Sequence, residues 1–281
     1  MADVDLVLAE RAVRENSRFS NGLPALLAAL AVGLILCFLL LPTLIVFPMS
    51  IGTSPYIEFP PQGLTLKWYE QYFSDADWMA ATWFSLRIAL ATTFSATLIG
   101  TLAALALVRG RLPGKEFLQA LTLAPLIVPH IVIAVALYLF FAPLGLVGNF
   151  YGFVIAHSML AVPYVVITVS AALQRFDANL ELAALNCGAT RLQAFFHIVV
   201  PNILPGLAAG AVFAFLASFD EATVAFFISG IEGKTITRKM FEDIDFNLTP
   251  VIAAVSTVLT LVSLVLMSTI EVARRRSQAG R

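Results

Sequence analysis

Asn179-Leu-Glu-Leu-Ala-Ala-Leu-Asn-Cys-Gly188-Ala-Thr-Arg-Leu-Gln-Ala-Phe-Phe-His-Ile-Val-Val-Pro201 is the most patterned stretch of this 281-residue chain, and its spacing predicts two short helices. The first runs from about Asn179 and stops at Gly188, because glycine takes a left-handed turn between helices without steric cost. The second starts near Thr190, whose hydroxyl suits a helix N-cap. Pro201 then marks the entry into the next apolar stretch. Two short amphipathic helices between apolar stretches suit docking into a partner's groove. An ordinary interfacial loop is the simpler alternative.

Working outward, the flanks are apolar, as is most of the chain: 59% of residues are hydrophobic and 12% charged. Those values exclude an ordinary soluble domain. Crossing about 30 Å of hydrocarbon takes roughly 20 apolar residues in a helix. Six stretches qualify, near residues 23–49, 84–108, 117–141, 152–173, 203–229 and 249–271. The expected fold class is therefore an all-α membrane protein with six transmembrane helices. It reads as one domain over 23–272, with an N-terminal tail at 1–22, a C-terminal tail at 273–281 and the patterned loop at about 174–201. No inverted internal repeat of the kind used by many secondary transporters is legible.

The net charge of -1 hides an asymmetry. Six crossings put both termini on one side, where twelve cations fall: Arg11, Arg14, Arg18, Arg109, Arg111, Lys115, Arg175, Arg191, Arg274, Arg275, Arg276 and Arg281. Four fall on the other: Lys67, Lys234, Arg238 and Lys239. Positive residues collect in the cytoplasm, so both termini and loop 174–201 are expected there. Arg87, near the outer end of the second span, is expected to snorkel to the interface. The first twenty residues have neither an apolar core nor a small-residue cleavage site and read as a retained tail. The outer segment from about Gly52 to Trp83 carries Trp68, Tyr69, Tyr72 and Trp78 and reads as a short interfacial helix with an aromatic belt. Cys37 sits in an apolar run and Cys187 in the polar loop, so they cannot form a disulfide.

The loop resembles the EAA loop of ABC importer permeases, whose pattern is Glu-Ala-Ala, three residues, Gly, nine residues, Ile-x-Leu-Pro. Ala183, Ala184, Gly188, Ile198 and Pro201 match in register, with Val200 in the Leu place. The pattern's Glu position is Leu182, and Glu181 stands one residue earlier. In the spermidine/putrescine branch two successive acids often stand there, so Glu181 is expected to keep part of the role, while the salt-bridging contribution of position 182 is in doubt. Leu123-Ala-Pro-Leu-Ile-Val-Pro-His130, Ser218-Phe-Asp-Glu221, Phe226-Phe-Ile-Ser-Gly230 and Leu66-Lys-Trp-Tyr69 are similar to segments of the same branch.

The resemblance implies the type I ABC importer permease fold in a bacterial cell inner membrane. It implies a second permease subunit, usually a different chain, with this one similar to the second of the pair. It further implies two cytoplasmic ABC ATPase subunits, which hold ATP and Mg, and a periplasmic solute-binding protein. Cofactors are expected on the ATPase and none in this chain, and no nucleic acid is expected as a partner. The implied cargo is a small cationic solute such as putrescine or spermidine. The same machinery importing an opine, amino-acid derivative, phosphonate or iron complex is the alternative.

Other candidate residues carry competing readings. Asp220 and Glu221 lie deep in the fifth apolar stretch, where an unpaired charge costs at least a few kcal/mol and usually marks a pathway. Alternatively Ser218-Phe-Asp-Glu221 is a capping box, with Ser218 capping a helix that restarts after a break and Glu221 reaching back to it. His130 follows Pro125 and Pro129 in the third span; its N–H either satisfies a carbonyl those prolines free, or it lines a pathway or senses protons. Tyr138 and His157 read as interface or packing residues. His130, His157 and His197 lack ligand spacing, so no metal site is expected. Gly233-Lys234-Thr235 lacks the earlier glycine of a phosphate-binding loop, so ATP must bind another chain. With no nucleophile motif, the chain is not expected to be an enzyme; a membrane-embedded enzyme is the alternative class.

Overall fold

A computed structural model describes residues 23–230, 233–246 and 248–279, with side chains placed from Pro24 to Thr269. The expected tail at 1–22 lies outside the described residues. Among the described residues the regular structure is helical. Helix α1 is Leu23–Met49, α2 Lys67–Ser74, α3 Ala76–Arg109, α4 Lys115–Ile127, α5 His130–Phe141, α6 Phe150–Arg175 and α7 Ala178–Asn186. Next come α8 Arg191–Ala194, a π-helical turn Phe195–Val199, α9 Val200–Phe219, α10 Thr223–Ile228, α11 Ile236–Phe246 and α12 Val251–Ala279.

Among the described residues five stretches are long and apolar enough to cross a membrane unbroken, and a sixth is made by α4 and α5 if that bent pair is one span. The pair turns by 100°, which the expected single helix 117–141 did not include. Its cause is the two prolines. Val128, preceding Pro129, is pushed to extended backbone (φ -72°, ψ 133°), and Pro129 follows at φ -54°, ψ 129°. The expected span 203–229 is also interrupted: α9 ends at Phe219 and α10 restarts at Thr223. At its near end α9 is preceded by α8 and the π turn, so the second loop helix runs on into the span. Helix α3 begins at Ala76, eight residues before the expected 84, because Asp75 accepts from the N–H groups of Asp77 and Trp78. Helix α12 continues to Ala279, past the expected end of the sixth span.

The bundle core is built from α3, α6 and α9. Ala96, Ala104, Val165, Val169, Ile203 and Ala214 are buried in one cluster, and small residues let these backbones approach closely. A Cβ on Gly210 would lie 2.5 Å from Thr168 Oγ1, and one on Gly206 2.5 Å from Ala172 Cβ. Gly100 sits against Val165 in the same way, at 2.7 Å. Gly206-x-x-x-Gly210 is thus the contact stripe between α9 and α6. Gly210→Ala is expected to lower stability by about 1–3 kcal/mol through overpacking. Gly33→Ala, where a Cβ meets nothing within 4 Å, is expected to change nothing. Thermal melting of the purified protein checks both.

At the end of the bundle opposite loop 174–201, Trp68, Tyr72 and Trp78 pack into a cluster with Ile236, Val251, Ala254 and Val255. The Trp68 indole donates to Gly52 O at 2.7 Å. These rings are therefore buried between α2, α3 and α12, and α2 is the short helix expected in this segment.

Candidate functional site

The break between α9 and α10 leaves backbone groups without helical partners, which a membrane interior tolerates only where protein or an aqueous cavity covers them. Two side-chain partners are found at this break. Glu221 Oε1 accepts from Val224 N at 2.9 Å, which caps α10, and Glu221 O accepts from Thr237 Oγ1 at 2.9 Å. The expected capping box is therefore corrected. Ser218 lies inside the last turn of α9, buried, with its Oγ 2.9 Å from His157 Nδ1, and the capping carboxylate is Glu221 acting forward. Of the two residues read as interface or packing, His157 is buried in the core and Tyr138 is exposed.

Beside the break lies a cavity of about 290 Å³, lined among others by Leu126, His130, Tyr164, Asp220, Glu221 and Thr223. That volume is at the lower end of the roughly 300–1,000 Å³ usual for small-molecule sites. His130 opens α5 and stands at the cavity wall, with Nδ1 3.4 Å from Glu221 Oε2, an ion pair when the imidazole is protonated. Its partner is thus a carboxylate, not the proline-freed carbonyl offered as one reading, because the bend of the third span carries the ring toward α10. Asp220, the C-cap of α9, is exposed, whereas Glu221 is buried with 7% of its side chain accessible. The two breaks together bring His130, Asp220 and Glu221 into one polar niche in an apolar wall. Ser218 does not line it. Tyr164, which sequence reasoning missed, does; it stacks on Phe213 with ring centroids 6.4 Å apart. Its only signal was a tyrosine one residue after Pro163 in an apolar run.

At the loop end, Asp177 Oδ1 accepts from Asn179 N at 3.0 Å and starts α7 at Ala178. Gly188 turns the chain at φ 94°. Thr190 and Gln193 form a reciprocal capping box that starts α8. Leu180, Leu182, Leu192 and Phe196 are exposed there, so the loop presents apolar side chains outward. Glu181 is not free: its Oε2 lies 2.7 Å from Arg109 Nη1 at the end of α3, and the Arg109 guanidinium stands 5.2 Å from the Phe176 ring. Among the calls on the loop, Ala183, Ala184 and Gly188 fall on α7 and its turn, Ile198 in the π turn and Pro201 in the first turn of α9.

Residues 96–277 match the family described as binding-protein-dependent transport system inner membrane component. The chain belongs to that family. This inner membrane component is 31% identical over 247 residues to the Escherichia coli K12 spermidine/putrescine transport system permease protein PotC, covering 88% of this chain and 93% of that protein. It is also 31% identical over 229 residues to the putrescine transport system permease protein PotI of the same strain, covering 79% and 81%. Among solved structures, a chain of a bacterial ABC transporter involved in the import of the acidic polysaccharide alginate superposes with a TM-score of 0.69 at 16% identity, covering 91% and 97%. The chain is thus a multi-pass permease of the ABC importer type, with the type I importer fold. The matched residues include loop 174–201 and the broken span with Asp220 and Glu221, but not α1, α2 or the first turns of α3.

Proposed function

We propose that this permease forms half of the translocation pathway for a small organic cation, with a polyamine such as putrescine or spermidine as the cargo. One observation carries the choice of a cation: two carboxyl groups, Asp220 and Glu221, sit at a cavity beside a broken span. Opposite charge in a weakly screened site lowers the barrier for a cation. The resemblance to PotC and PotI, both named for polyamine transport, supports the same class. Loop 174–201 docks on a cytoplasmic ATPase subunit through its exposed leucines and Phe196, with Glu181, Ala183, Ala184, Gly188, Ile198 and Pro201 shaping it. ATP and Mg belong to that partner. A second permease, two ATPases and a periplasmic binding protein complete the importer, and ATP-driven movement of the docked loops opens the cavity alternately to each side.

Uptake of labelled putrescine by cells lacking their own polyamine importers tests this reading. Expression of the whole system should restore uptake, and unlabelled spermidine should compete where amino acids and organic anions do not. Competition by an opine, phosphonate or iron complex instead would transfer the machinery to another solute. The complex should also co-purify with an ATPase.

Both termini are placed in the cytoplasm on the twelve-to-four distribution of Lys and Arg. A cysteine at Ser277, with Cys37 and Cys187 replaced, is expected to stay unlabelled by an impermeant thiol reagent in intact cells and to react after permeabilisation. Labelling in intact cells would overturn the six-crossing topology.

A further inference from the structure

The cavity carboxylate Glu221 is tied to a helix that takes no part in lining the cavity. We propose that Thr237 on α11 is a positioning residue for Glu221, so that α11 sets the affinity of the pathway for its cation; this rests on the cation-pathway reading above.

Helix α10 has six residues, too few to persist unless held. At its start Glu221 Oε1 accepts from Val224 N, and at its end Ile228 O accepts from Gly148 N at 2.7 Å. From the side, the Arg238 guanidinium lies 3.9 Å from the centre of the Phe226 ring, a cation–π contact. Just before α10, the Thr237 hydroxyl donates to Glu221 O at 2.9 Å. Both side contacts come from the first turn of α11. That turn is itself fixed: Ile236 N donates to Ser85 Oγ on α3 at 2.7 Å, and Arg238 N to Thr235 Oγ1 at 3.3 Å. Glu242 holds Arg238 at 3.3 Å and Lys234 at 2.8 Å.

Glu221 is therefore constrained at two points, its backbone carbonyl by Thr237 and one carboxylate oxygen by Val224 N. The other oxygen, Oε2, is left facing His130 and the cavity. Removing the Thr237 hydroxyl strands a carbonyl at a helix break, where no helical donor replaces it. The peptide unit can then rotate, and the carboxylate loses its fixed aim. The defect should fall on recognition of the cation rather than on assembly.

The test compares Thr237→Val, which keeps the shape and removes the donor, with Thr237→Ser, which keeps the donor. Labelled putrescine uptake by the complete importer is measured against concentration, together with complex yield. Thr237→Val should raise KM about three- to tenfold, the range expected for one such hydrogen bond, with maximal rate and yield near wild type. Thr237→Ser should restore KM. Unchanged KM in the valine variant, or equal defects in valine and serine, would overturn the proposal. If valine does not assemble, Thr237→Ala replaces it, and failure of both to assemble also overturns it, because the hydroxyl would then act in folding. Glu221→Gln and Asp220→Asn run alongside. Full uptake in both removes the cation-pathway reading itself, whereas their loss of uptake beside a silent Thr237→Val removes this inference alone.

Discussion

Glu221→Gln and Asp220→Asn should each give a permease that assembles, retains its ATPase and takes up cation at least about tenfold more slowly at limiting concentration. Each change is nearly isosteric, so it removes charge and little else. In Glu221→Gln the amide oxygen can still accept from Val224 N, which preserves the cap on α10, while the ion pair with His130 is lost. Asp220 is exposed and its carboxylate accepts no hydrogen bond among the described residues, so its amide tests the field alone. A purely structural role predicts another pattern: near-normal uptake in both amides, with loss of complex in Glu221→Ala, which uncaps α10. Ser218→Ala should act independently of all three, since Ser218 pairs with His157 in the core rather than with the break. Uptake and complex yield on the same samples separate the readings. Wild-type uptake in both amide variants would sink the cationic pathway.

Gly188→Val should uncouple the importer while leaving the spans folded. Gly188 holds φ 94°, and a Cβ there would meet nothing within 4 Å, so the penalty comes from backbone conformation and not from a clash. An L-residue in the left-handed region costs roughly 1–2 kcal/mol, and a β-branched one more. The chain can relieve that strain by rotating the turn, which swings α7 relative to the capping box at Thr190. The exposed leucines of α7 would then no longer stand in register with Leu192 and Phe196, as the proposed docking requires. Transport should fall to near background with normal membrane insertion. Gly188→Asn, a residue that visits this region more readily, should retain more activity than valine. A valine variant transporting at the wild-type rate with its ATPase bound would remove the loop's assigned role.

Much of the architecture was legible because hydropathy and caps are local signals. The turn at Gly188 and the cap at Thr190 follow from residue type and spacing within fifteen residues. What was not legible depended on where distant segments meet. Pro125 and Pro129 announced a weak point, but only packing decides that the chain bends by 100° there and delivers His130 to Glu221. Ser218-Phe-Asp-Glu221 has the spacing of a capping box, yet His157, 61 positions away, claims the serine. The aromatic residues around α2 read as an interfacial belt by composition, and only packing shows that α12 covers them. Thr237 carried no local signal at all.

The Arg109–Glu181 pair acquires a mechanical meaning from the helix to which it belongs. At 34 residues, α3 is about 51 Å long at 1.5 Å per residue. At one extremity it grips α7 through Arg109, and nearer the other it grips α11 through Ser85. The neighbours that wall the cavity are jointed, α4 to α5 at Pro129 and α9 to α10 at Asp220. The permease thus sets one long unbroken rod, tied to α7 and α11, beside two jointed spans. Rods fix the separation between the faces of a machine, and hinges confine bending to chosen points. On the docking proposed for loop 174–201, movement entering there is expected to be taken up at the two joints, which adjoin His130 and Asp220.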